Sequence, residues 1–182
     1  MRIACGALLV GFASVLASGL PAPSRTPSPA AAVATPGPPP CSTAEYRQFD
    51  FLLGDWDVAG ADGKPAGKNK VTAVSAGCGL EESWTSAKGS RSTSLSVYDA
   101  SVRRWHQTFV DDSGGLLLLE GEFRDGKMVL IGRRQKSRGT LIIHRITWTP
   151  IDADHVHQLW DASGNEGRSW QTVFEGTYAK RK

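Results

Sequence analysis

The sequence predicts an all-β protein, an antiparallel up-and-down β-barrel of about ten strands preceded by a short helical turn. Three observations carry that expectation. Turn-forming clusters recur roughly every eight to twelve residues from Asp55 onward. The runs between them are rich in Val, Ile, Thr, Trp and Phe. Several of those runs alternate without a clean polar face, which puts one face in a core and the other in a second amphipathic space, as in a barrel with an interior cavity. A sandwich of about ten strands is the alternative arrangement.

The chain begins with targeting chemistry. Arg2 supplies a positive start, Ile3 to Leu16 are apolar or small, and Ala17-Ser18-Gly19 offers small residues for cleavage. This is the three-part pattern of a secretory signal, expected over residues 1–19. The apolar run is shorter than the ~20 residues of a spanning helix, so an anchor is disfavoured. Cys5 lies too early for lipid attachment, and Cys41 follows Pro38-Pro39-Pro40 rather than small residues. Residues 20–40 hold eight of the ten prolines among Ala, Ser and Thr. Such a segment buries too little surface to fold and reads as an extended, disordered linker. The folded domain is therefore expected over 41–182, in the periplasm or outside the cell.

Two cysteines remain after cleavage, Cys41 and Cys78. In an oxidising compartment they are expected to form one disulfide. It closes a loop of roughly 38 residues, for which the chain-entropy model gives about 4 kcal/mol. Between Thr43 and Phe51 the sequence predicts a helical turn with Ser42 or Thr43 as N-cap. Strands are predicted near 55–60, 69–76, 80–86, 92–99, 104–110, 115–123, 128–135, 140–149, 155–161 and 169–179. The turns between them carry Asp62-Gly63, Gly77 to Gly79, Lys88-Gly89-Ser90, Asp112 to Gly115, Asp125-Gly126, Arg138-Gly139, Asp152 to Asp154 and Ser163 to Gly167.

The stretch Phe49-Asp50-Phe51-Leu52-Leu53-Gly54-Asp55-Trp56-Asp57-Val58 leads an aromatic turn into Gly-x-Trp at the first strand. With Gly77-Cys78-Gly79-Leu80, Glu82-x-Trp84, Trp105-His106-Gln107, Arg145 to Pro150 and Gln158-Leu159-Trp160, it resembles a family of bacterial secreted lipocalin-like, or calycin-type, barrels. The resemblance spans roughly residues 41–180. It implies a fold and no reaction. It also implies structural roles for Gly54, which permits close approach, and Trp56, which closes one barrel end. Lipocalins pair that tryptophan with a late arginine. Arg168 and the Lys180-Arg181 tail are the counterparts here, outside any matching motif.

Composition excludes several functions. The net charge is +3, and the basic groups are short and scattered, so nucleic acid is not an expected partner. No phosphate-binding loop, dinucleotide fingerprint or hydrolase elbow occurs. The adjacent carboxylates Glu81-Glu82 and Asp111-Asp112 point to opposite strand faces and make no acid/base couple. His155 and His157 share a strand face, but spacing supplies no third metal ligand, so no metal or other cofactor is expected.

Six tryptophans must fill a core or line a pocket. Trp84, Trp105, Gln107, Arg145, Trp148, Gln158 and Trp160 are the candidate ligand-binding residues, combining apolar walls with a few polar groups. Arg145 lies mid-strand, where a buried guanidinium needs an anionic ligand or a carboxylate such as Glu82. The expected function is binding of a small hydrophobic or amphipathic molecule inside the barrel, without a defined catalytic activity. One alternative is an isomerase- or hydrolase-type enzyme with His106 or His144 as base. The other is a heme-binding barrel using one of the four histidines.

Overall fold

The computed structural model describes residues 37–135 and 139–182. The expected signal peptide and residues 20–36 of the expected linker lie outside the described residues. Ten strands follow one another: β1 (Gly54–Gly60), β2 (Pro65–Val74), β3 (Gly79–Ser86), β4 (Arg91–Asp99), β5 (Arg104–Asp111), β6 (Leu116–Arg124), β7 (Lys127–Gln135), β8 (Leu141–Pro150), β9 (His155–Ser163) and β10 (Gln171–Lys180). Each pairs antiparallel with its sequence neighbour, and β1 also pairs with β10 from Trp56↔Lys180 to Gly60↔Gly176. The sheet is thereby a closed up-and-down barrel, and every strand edge is covered. Among the described residues no helix is long and apolar enough to cross a membrane.

Strand β2 starts four residues before the expected position. Its first residues are poor strand formers, but Pro65 occupies the strand's first position, where its missing N–H matters least. Gly67 is required by a close approach. A Cβ there would collide with the Thr85 carbonyl oxygen and lie 2.7 Å from the Trp84 indole. The glycine thus makes room for a tryptophan that faces inward from β3.

The predicted helical turn is two short 3-10 turns, Ala44–Arg47 and Asp50–Leu52. Thr43 holds the N-cap position without a capping side-chain bond. Its hydroxyl instead donates to Glu45 Oε2 at 2.6 Å. These turns close one barrel end with Phe49, which is fully buried. The Phe49 ring meets Trp105 edge-on at 5.6 Å and Trp148 at 6.3 Å. Trp56 Nε1 donates to the Leu52 carbonyl at 2.9 Å, tying β1 to the turn before it. Gly54, at φ 137°, lets the Lys180 side chain pass where a Cβ would stand 2.7 Å from it. The Lys180 ammonium then sits 5.4 Å from the centre of the Trp56 ring. Arg168 instead bonds the Asn165 carbonyl in the loop after β9, at the opposite end.

Cys41 and Cys78 are disulfide-bonded, with Cα atoms 5.1 Å apart. The bond anchors the N-terminal turns to the β2–β3 connection. Arg47 reinforces it by donating to the Gly77 carbonyl. Replacing both cysteines by serine is expected to lower unfolding stability by about 4 kcal/mol, measured by urea titration against the oxidised parent. A loss below about 1 kcal/mol would show that the closed end holds without its covalent link.

Candidate functional site

Closure makes strand parity global, so alternate residues of every strand share one enclosed space. That space is filled unevenly. Leu117 and Leu119 of β6, Leu130 of β7 and Ile146 of β8 are buried and occupy one side. Beyond β5 from them, β4 turns the small side chains of Ser92, Ser94 and Ser96 inward. What remains is a cavity of about 210 Å³.

Its wall is largely aromatic, from Trp84, Phe109, Trp148, Trp160, Phe174 and Tyr178. The rings contact one another edge-on. Trp148 meets Tyr178 at 5.2 Å, Phe109 meets Trp160 at 5.7 Å, and Trp84 meets Phe174 at 5.8 Å. Each ring is thereby held in place by another. Trp84, Phe109, Trp160 and Phe174 are only half-buried, on the side of the barrel away from the Phe49 closure.

The polar groups on the wall are Glu82, Ser92, Ser94, Gln107 and Gln158. Among the described residues, Glu82 is the one charged side chain lining the cavity. Asn69 Nδ2 donates to Glu82 Oε1 at 2.8 Å and Ser94 Oγ donates to Oε2 at 2.7 Å. Behind them, Gln107 Nε2 donates to Ser94 Oγ at 3.2 Å and to Ser96 Oγ at 3.1 Å. The bond from Asn69 and the path from Gln107 through Ser94 both end on the carboxylate. Burial pushes the Glu82 carboxyl above its ordinary value, while the bonds from Ser94 and Asn69 pull it down. Burial, and then the charge of Glu82, push the Tyr178 hydroxyl well above its ordinary value. Tyr178 therefore keeps its proton and donates a hydrogen bond to Gln158 Oε1 at 2.6 Å. Asn69 Oδ1 and Trp148 Nε1 are buried without a hydrogen-bond partner.

Of the seven candidate binding residues, Trp84, Gln107, Trp148, Gln158 and Trp160 meet in this cavity. Trp105 points inward but lies below it, between Phe49 and Tyr98, with its Nε1 on Gln48 Oε1 at 3.1 Å. Arg145 is a correction. It stands between Ile146 and His144 in sequence, so parity turns it to the outer face. There it pairs with Asp161 at 2.9 Å and lies 4.0 Å over the Trp170 ring. Its carboxylate is Asp161, and Glu82 serves the interior instead. Sequence parity did carry the missing signal, since Glu82 and Trp84 are two apart and share a face.

The histidines stand away from the cavity wall. His106 is on the outer face, 3.6 Å from Glu120. His155 pairs with Asp152 at 2.9 Å and His157 with Glu175 at 3.1 Å. His144 sits at the open rim, where its Nδ1 accepts from Trp160 Nε1 at 3.0 Å. Burial first, and then the charge of Arg134, hold His144 below its ordinary value, so it serves Trp160 as a neutral acceptor. Among the described residues no three His, Cys, Asp or Glu side chains are placed to hold a metal. No histidine lines this cavity; His144 lines a second pocket of about 680 Å³ with Arg134, Ile142 and Ala162. The chain matches no model of a known protein family and no curated protein.

Glu82 ties the site to stability. The folded state binds the Glu82 proton more tightly than the unfolded chain, so stability is highest below the ordinary glutamate value. It falls as pH rises toward the raised value, above which the full cost of ionisation is present. Glu82→Gln removes that cost, and a rotated Asn69 amide can accept from the new amide through its otherwise unpartnered Oδ1. The variant is expected to melt a few degrees above the parent at pH 7.5, with the difference closing at pH 4. Parallel melting curves at both pH values would contradict the assignment.

Proposed function

We propose that the protein is an exported lipocalin-like barrel that binds one small, partly hydrophobic molecule in its interior, without catalysing a reaction. The carrying observation is the aromatic-walled cavity of about 210 Å³. An apolar protein cavity of about 150 Å³ accommodates benzene, so this one suits a ligand of one ring or a short branched chain. A mostly apolar wall with a few fixed polar groups is the usual composition of such sites. The signal-like N-terminus, the proline-rich segment after it and the disulfide support an extracytoplasmic location. The resemblance of residues 49–58 to the lipocalin opening motif supports the binding role. The enzyme alternative gains no support from the histidines, since His106 and His144 both stand off the cavity wall.

Ligand binding is expected to perturb Trp84, Trp148 and Trp160 directly. Titration with toluene or indole should produce a saturable change in tryptophan emission with one molecule bound per barrel. Ser92 lines the cavity and takes part in none of the hydrogen bonds described above, so Ser92→Phe should fill the space and weaken binding by about tenfold or more, in line with the loss of a preformed apolar site. The reading fails if the parent gives no saturable response, or if Ser92→Phe binds as the parent does.

A further inference from the structure

A purely apolar ligand leaves Glu82 unexplained. An ionised carboxylate shielded from water is costly unless a counter-charge or a full set of hydrogen bonds offsets it. Here three neutral side chains, Asn69, Ser94 and Gln107, orient donors along paths that end on the carboxylate. Those bonds favour the anion, but burial outweighs them and holds the carboxyl above its ordinary value. Each Glu82 oxygen accepts one of these bonds and retains capacity for another. Among the described residues, Glu82 is the one charged side chain lining the cavity, so no cation is supplied at this point. Lys68 and Lys70 flank Asn69 on β2 but are exposed, on the opposite parity from Asn69 and Val71. Arg134 belongs to the rim. Its charge falls on Asp111, which hydrogen bonds from Ser113 and Gly115, and then Arg134, hold below its ordinary value.

The walls have the same electrostatic preference. Aromatic faces carry negative potential and attract cations within about 6 Å of the ring centre. Trp84 and Tyr178 are 6.3 Å apart between centroids, and Tyr178 continues to Trp148. Glu82 projects from β3 on the same face as Trp84, and its charge is felt at Tyr178. An anionic ligand meets like charge at Glu82 and the wrong pole of the rings. A neutral one leaves the carboxylate without a counter-ion.

We propose that the cavity selects a small organic ammonium ion carrying at most one ring, with Glu82 as its counter-ion and Trp84, Trp148 and Tyr178 as its aromatic cage. This inference rests on the cavity being a ligand site. The amine N–H groups donate to the free acceptor positions of Glu82, and the hydrocarbon part lies against the rings toward Phe109 and Trp160.

Three probes of one size separate the two levels of the inference: benzylamine as its ammonium ion, benzyl alcohol and benzoate, each titrated at pH 7.5 by calorimetry and tryptophan emission. The parent protein is expected to bind the ammonium about tenfold or more tightly than the alcohol, and benzoate most weakly, given a desolvated cation–π contact and a paired carboxylate. In Glu82→Gln the ammonium and the alcohol should bind within about threefold of one another, because the charged partner is gone. An alcohol that binds as well as the ammonium overturns the cation assignment and leaves the cavity reading standing. An undiminished ammonium preference in Glu82→Gln also overturns it. If none of the three binds, both readings fall. The ranking in the parent tests cation selectivity even where the variant does not fold.

Discussion

Closure of the sheet through β1 and β10 is the constraint on which the rest of the structure depends. Once Trp56 pairs with Lys180 and Gly60 with Gly176, no strand can slip by one residue without turning its whole inward set outward. The interior then has a volume set by strand number and tilt, and the side chains either fill it or leave it open. Leucines on β6 and β7 fill their side. Serines on β4 leave space beside them. The cavity thus follows from small residues placed at inward positions of one strand.

Access follows from the two barrel ends. At one end the 3-10 turns, Phe49 and the Cys41–Cys78 bond form a covalently anchored plug against Trp105 and Trp148. Trp148 belongs to both layers, with Phe49 near one side of it and the cavity on the other. The opposite end carries the half-buried aromatics, with Trp160 held by neutral His144. Rigid rings around a small space reduce the ordering cost of binding, which favours small ligands that themselves have little freedom to lose.

Most of this fold could be read from the chain. Glycine and aspartate at the turns, with β-branched and aromatic residues between them, located all ten strands. The beginning of β2 could not be read, because Pro65, Ala66 and Gly67 are tolerated there for reasons of tertiary contact: an end position for the proline, and space for Trp84 at Gly67. The site was half legible. Tryptophans and glutamines in strands pointed to the cavity, and five of the seven residues chosen do line it. Arg145 misled because β8 is apolar on both faces. Ile143 and Arg145 alternate with Ile142, His144 and Ile146, and alternation alone does not say which set is inside. Trp105 was on the inward face, but its depth relative to the plug depends on packing of the N-terminal turns, which sequence spacing does not encode. Glu82 was expected as a partner for a buried Arg145; with Arg145 on the outer face, the carboxylate stands inside without that cation.

The buried carboxylate connects stability to binding. In the empty barrel, ionised Glu82 has only neutral donors; a bound ammonium supplies the charge that they do not. A barrel that tolerates this cost in its empty state gains selectivity in its loaded one, since only a cation relieves it. The most direct measurement is a crystal structure of the protein grown with benzylamine. The ammonium nitrogen is expected inside the barrel, about 2.7–3.2 Å from a Glu82 carboxylate oxygen, with the ring among the tryptophans. A nitrogen directed to the rim and away from Glu82, or an interior closed over by collapsed side chains, would contradict this assignment of the cavity.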